Sequence, residues 1–143
     1  MKYNITIPGE PQGKGRHRMT KKGHTYTPKK TKVYEDTVKI IFKSKYKKQL
    51  EGELIAEITA YLKIPKSATK GKKLAMKHNE VRPTKKPDGD NIAKIILDSL
   101  NKLAYHDDSQ VVDLVVRKWW TLDNPRVEVV IREEEWITMK GII

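Results

Sequence analysis

Two short acidic elements stand out in the chain. The first is Pro87-Asp88-Gly89-Asp90-Asn91, directly before a strong apolar stripe. Carboxylates at i and i+2 in extended backbone project to one side, Pro87 restrains the approach, and Gly89 lets the chain turn between them. Such a pair suits a hard cation held through oxygen. Asp-Gly-Asp-Asn is also good helix-cap and turn chemistry, which is the plainer reading of the element taken alone. The second element is Tyr105-His106-Asp107-Asp108-Ser109-Gln110. Adjacent carboxylates leave a strand on opposite sides, so at most one of Asp107 and Asp108 aims into a given site; a polar turn between helix and strand is the alternative. Lys94 lies one helical turn beyond Asp90 on the same face. If Asp88, Asp90 and Asp108 converge, their mutual repulsion requires one or two Mg²⁺ ions, with Mn²⁺ able to substitute. A carboxylate-held metal with a lysine beside it is equipment for phosphodiester hydrolysis.

The elements that must position these residues follow from periodicity. Tyr3, Ile5 and Ile7 alternate with polar neighbours and predict a strand ended by Pro8-Gly9. Residues 9–31 read as a basic loop too polar to pack. Tyr34, Val38, Ile41 and Phe42 predict an amphipathic helix from Thr31 or Lys32 to about Leu50, stopped by Gly52. Leu54, Ala56, Ile58, Ala60 and Leu62 predict a second strand that Pro65 ends. Residues 65–87 read as a mobile, lysine-dense arm whose SATKGKKLAMKH stretch is a marginal helix. Ile92, Ile95, Ile96, Leu100 and Leu103 form the clearest helical stripe, capped by Asp88 or Asp90. Strands follow at 110–120 and 126–132. The expected fold is a small α+β domain, with a mixed or antiparallel four-stranded sheet and two main helices on one face. In that unit the chain folds back along a short helix, and Asp107 and Asp108 are expected beside the mouth occupied by Asp88 and Asp90.

Composition restricts the function classes. The 143 residues carry 30 Lys+Arg against 18 Asp+Glu, a formal charge of +12, and 37% hydrophobic residues. This fits a single domain over residues 1–143 with one modest core. The charge is uneven: residues 1–50 carry +11 and 63–87 carry +8, whereas 51–62 carry −3 and 88–143 carry −4. A polyanion is the expected partner, and acids within a basic body that attracts phosphate call for a cation between them. The absence of cysteine excludes disulfides, thiolate nucleophiles and Cys-ligated zinc. No apolar run has membrane-spanning length and the N-terminus lacks a secretory core, so a cytoplasmic protein without a membrane partner is expected. Gly13-Lys14-Gly15 lacks the spacing of a phosphate-binding loop, and no nucleotide cofactor is expected. His17, His24, His78 and His106 show no metal spacing. Asp98 reads as a structural or interface residue, Glu133–Glu135 as a solvated strand end, and one of Trp119 and Trp120 as core.

The run KPDGDNIAKIILDSLNKLAYHDDSQVVDLVVRKWW resembles the PDxDN-x-x-K…LD-x-L…DD-x-QV…K core of the RusA-like crossover junction endodeoxyribonucleases (Holliday junction resolvases). The opening strand and the Gly13–Arg18 basic stretch are similar to that family's N-terminal segment, and the lysine-rich arm resembles its Gram-positive and phage members. The resemblance implies a homodimeric, Mg²⁺-dependent nuclease of DNA recombination and repair that makes paired symmetrical cuts in four-way DNA junctions. It implies Asp88, Asp90 and Asp108 as catalytic metal ligands, Lys94 as a basic residue needed for catalysis and Asp107 as an assistant. Lys14, Arg16, Arg18, Lys85, Lys86 and Lys118 are the expected DNA contacts. Two alternatives stand beside this reading: a nuclease of broader branched-DNA specificity, and a non-catalytic basic DNA-binding module whose acids are only caps and turns.

Overall fold

A computed structural model describes residues 1–15, 18–26 and 28–134. Arg16, an expected DNA contact, and His17 lie outside the described residues. Four strands form the main sheet: β1 (Lys2–Pro8), β4 (Leu54–Lys63), β5 (Val111–Thr121) and β6 (Arg126–Glu133), in the order β1-β6-β4-β5. β6 is antiparallel to both β1 and β4, while β5 runs parallel to β4. The sheet is therefore mixed. A small hairpin of β2 (Arg18–Met19) and β3 (Thr25–Tyr26) lies apart from it.

The alternating residues do what their period requires. Tyr3, Ile5, Ile7, Ala56, Ile58, Ala60, Leu62, Val127, Val129 and Ile131 are buried on one sheet face. Onto that face pack α1 (Lys29–Lys45), through Tyr34, Val38 and Phe42, and α3 (Gly89–Leu100), through Ile92, Ile95, Ile96 and Leu100. The two main helices share one side, as expected. Both helices end earlier than periodicity suggests. Beyond α1, Tyr46 turns extended, stacks on Tyr3 with ring centroids 4.1 Å apart, and accepts the Asn4 N–H through its hydroxyl at 3.0 Å. Beyond α3, Asn101 is extended and Lys102 takes a positive φ of 71°, so Leu103 packs on the core from a turn.

Two segments expected to be loose carry structure. Between β4 and α3 the arm forms α2 (Lys70–Lys77), with the Thr69 side chain accepting the Lys72 N–H; Met76 rests against the core. In the basic stretch Pro11 is buried, and Gly13 and Gly15 pass close to α3 and α1. A Cβ on Gly13 would lie 3.0 Å from the Asn91 Cβ and 3.1 Å from the Pro87 Cβ. Among the described residues no helix is long and apolar enough to cross a membrane.

Candidate active site

Asp88 occupies the N-cap position of α3 with extended backbone, yet its side chain makes no capping hydrogen bond. Asp90 lies in the first turn. Both are exposed, and among the described residues neither joins an ion pair. The plainer cap reading thus fails for the Asp88 carboxylate, which is left available. Positive dipole at a helix N-terminus favours two such charges there. Gly89 does not use its freedom: its φ is not positive, and an added Cβ would meet Val116 Cγ1 at an ordinary 3.7 Å. Lys94 is exposed one turn along, its ammonium 3.9 Å from Asp98 Oδ2.

A cleft of about 840 Å³ opens beside Asp88, lined by Lys14, Lys30, Lys85 and Lys86 together with Gly13, Gly15 and Asn91. Lys30, Lys85 and Lys86 are exposed and supply positive charge along its wall. Lys14 behaves differently. Its ammonium donates to Glu35 Oε2 at 2.6 Å and lies 3.2 Å from Asp98 Oδ2, while its backbone N–H donates to the Asn91 carbonyl at 3.1 Å. Burial works against the charge, but the hydrogen bonds to the two carboxylates outweigh it and hold the Lys14 pKa above the ordinary lysine value. In this structure Lys14, an expected phosphate contact, anchors the glycine-rich segment to α1 and α3. Lys118 is likewise engaged, donating to the Lys85 carbonyl at 2.7 Å. Arg18 lies in β2, and its side chain is outside the described residues.

The second acidic element sits at the other end of α3. Asp108 is tied to the end of α3 through its backbone: its N–H donates to Asn101 Oδ1 at 3.1 Å. Asp107 caps a short 3-10 turn over Asp108–Gln110, accepting the Ser109 N–H at 3.1 Å, with Gln110 closing a reciprocal capping box. Hydrogen bonding from Ser109, with Lys102 nearby, holds the Asp107 carboxyl below its ordinary range. Its carboxylate is occupied in shaping the turn. The 12 residues of α3 span about 18 Å at about 1.5 Å each. β5 gives the same length independently, since Val111 starts beside the Asp108 turn and Val116 is the residue that reaches Gly89; five residues of strand cover about 17 Å. The structure thus places Asp88, Asp90 and Lys94 in the first turns of α3 and Asp107 and Asp108 beyond its other end. Among the described residues no three His, Cys, Asp or Glu side chains gather as a metal-binding group.

Sequence reasoning missed Glu35 as the partner of Lys14. The one available signal was that Glu35 and Asp36 are the only acids between residues 11 and 50. It also missed the attachment of residues 79–85 to β5, because nothing in a lysine-dense stretch marks which strand it will follow.

Comparison with known proteins identifies the family. The family model described as Endodeoxyribonuclease RusA matches residues 8–132. An uncharacterised Bacillus subtilis (strain 168) protein, YqaN, is 40% identical over 136 residues, covering 90% of this chain and 94% of that one. The match begins at the end of β1 and closes within β6, so it takes in the lysine-lined cleft and both acidic elements, and on that extent the chain belongs to the RusA endodeoxyribonuclease family.

Proposed function

We propose that the protein is a Mg²⁺-dependent, homodimeric endonuclease that resolves four-way DNA junctions by paired symmetrical phosphodiester hydrolysis, in recombination and repair. The observation that carries this reading is the uncommitted Asp88 carboxylate at the mouth of a lysine-lined cleft in a RusA-family chain, with Asp90 in the first turn of the same helix. The exposed Lys30, Lys85 and Lys86 hold the phosphodiester strand as a run of charges without reading bases. Lys94, kept in place by Asp98, offsets charge that builds on the phosphate.

Asp88 and Asp90 fit a hard cation: both are oxygen donors, exposed, and without an ion pair among the described residues. Bound there, Mg²⁺ or Mn²⁺ would polarise the phosphate and supply an activated water. One chain offers two donors at one end of α3 and the third, Asp108, about 18 Å away. A two-fold dimer removes the mismatch. β5 is an edge strand; its Val112 and Leu114 are exposed. Antiparallel pairing of β5 with a second β5, centred on Leu114, sets Val112 of one strand opposite Val116 of the other. Val116 lies beside Gly89, so the partner strand passes the head of α3, and Asp108 of the partner subunit, level with Trp120 in this register, comes to the Asp88 end of that helix. Two such sites related by the axis suit a two-fold junction, where one site alone would have to rebind between cuts.

The test uses a synthetic four-way junction, a flap and a linear duplex, with and without Mg²⁺. Selective, Mg²⁺-dependent cutting of the junction is expected; cleavage of flap and junction alike would favour the broader branched-DNA nuclease. Asp90→Asn is expected to keep junction affinity within about twofold while cleavage falls by two or more orders of magnitude. Near-parental nicking by that variant would refute the site, and binding with no scission of any substrate by the parent would favour a non-catalytic module.

A further inference from the structure

Residues 79–85 run along the open side of β5 and meet it through side chains instead of a strand ladder. The Trp120 N–H donates to Asn79 Oδ1 at 3.0 Å, and Arg82 Nε donates to the Lys118 carbonyl at 3.0 Å. These contacts occupy the outward-facing backbone groups of 118 and 120, the far half of the edge that Val112 and Leu114 leave open. The Arg82 guanidinium carbon lies over the Trp119 ring, 3.6 Å from its centroid. From the strand side, the Lys118 ammonium returns a bond to the Lys85 carbonyl at 2.7 Å. Pro83, between these ties, is buried. Three residues after Lys85 the chain reaches Asp88.

We propose that Arg82 and Lys118 form a two-way clamp on β5 that sets the position of Lys85, Lys86 and Asp88 along the cleft. Arg82 and Lys118 are then positioning residues, acting through the backbone they hold. Pro87 limits freedom between Lys85 and Asp88, so a displacement at Lys85 is passed to the carboxylate with little room to be absorbed. A guanidinium is needed at 82 because one group must both stack on an indole and donate along a fixed direction; an ammonium has no planar fork. The alternative role for Arg82, a direct phosphate contact, makes opposite demands on the same variants.

This inference rests on the proposed nuclease reading, and its test separates the two. Arg82→Ala, Arg82→Lys and Lys118→Met are compared with the parent in a Trp136→Phe background, so that emission reports Trp119 and Trp120. Three measurements are made: hydrogen exchange of residues 79–90 and tryptophan emission without DNA, Mn²⁺ binding by calorimetry, and junction binding and cleavage over a range of salt and Mg²⁺. Both Arg82 variants are expected to lose exchange protection across 79–90, shift emission to the red and weaken Mn²⁺ binding. They are expected to cut about ten- to a hundredfold more slowly, with junction affinity and its salt slope kept, and Lys118→Met is expected to do the same in milder form. If instead Arg82→Ala flattened the salt slope by about one and Arg82→Lys restored it, Arg82 would be a phosphate contact and the clamp would be overturned. Unchanged exchange protection in Arg82→Ala and Lys118→Met would overturn it too. Should Arg82→Ala fail to fold, Arg82→Lys and Lys118→Met decide the same question. A parent that cuts nothing would sink the nuclease reading, while exchange and Mn²⁺ binding would still judge the clamp.

Discussion

Lys14 shows how a basic residue in a DNA-directed protein is committed elsewhere. Its ammonium is shared by Glu35 and Asp98, and Asp98 also steadies Lys94. Lys14→Met leaves two carboxylates facing each other without their cation, which costs about 1–3 kcal/mol of stability. The pH dependence has a definite sign. Because the folded pKa of Lys14 is raised, its contribution is complete below the unfolded lysine value and is lost as pH rises through the folded one. Denaturant unfolding at a series of alkaline pH values is expected to show the stability gap between parent and Lys14→Met closing above about pH 10.5; a gap constant with pH would mean that the ion cluster contributes nothing. Asp88 and Asp107 show the complementary point. Both stand at N-cap positions, but only Asp107 spends its carboxylate on the cap. A sequence places both residues alike at the head of a helical turn; which one is spent depends on side-chain geometry.

At the scale of elements, α3 decides the site. Its apolar stripe was readable because Ile92, Ile95, Ile96 and Leu100 must face the sheet, and the same holds for the period-two strands. The helix ends were not readable, since Tyr46 is drawn away by Tyr3 and α3 closes on Asn101. The acidic elements themselves were legible; their separation was not. The turn at 101–107, with its positive-φ Lys102, returns the chain at the far end of α3, and β5 then runs back along the helix toward Gly89. The order of acids along the chain says nothing of that. Gly89 gives a direct check on the local geometry. Since a Cβ there meets only Val116 at an ordinary distance, Gly89→Ala is expected to leave folding intact and to change the stability by no more than about +1 kcal/mol. Thermal unfolding measures it, and a loss of more than about 2 kcal/mol would mean that α3 begins differently.

For the whole molecule, charge and edge chemistry work together. In the proposed nuclease a basic wall gathers DNA without regard to sequence; the arm covers one half of β5, and the other half presents Val112 and Leu114 at an unpaired edge, a feature that soluble proteins ordinarily guard with charge. Leu114→Lys introduces that guard. Sedimentation velocity is expected to show a folded monomer, with the unfolding temperature within a few degrees of the parent, and junction cleavage reduced at least tenfold. A Leu114→Lys dimer of full activity would place the two-fold axis elsewhere. Cleavage by such a dimer requires donors from opposite ends of α3 to meet across two chains, and one experiment reaches that point directly. Asp90→Asn and Asp108→Asn, each inactive alone, are mixed and allowed to exchange subunits. In a mixed dimer one site contains both substitutions and the other contains neither, so junction nicking is expected to return. Mixtures as inactive as their components, under conditions where subunit exchange is demonstrated, would contradict it.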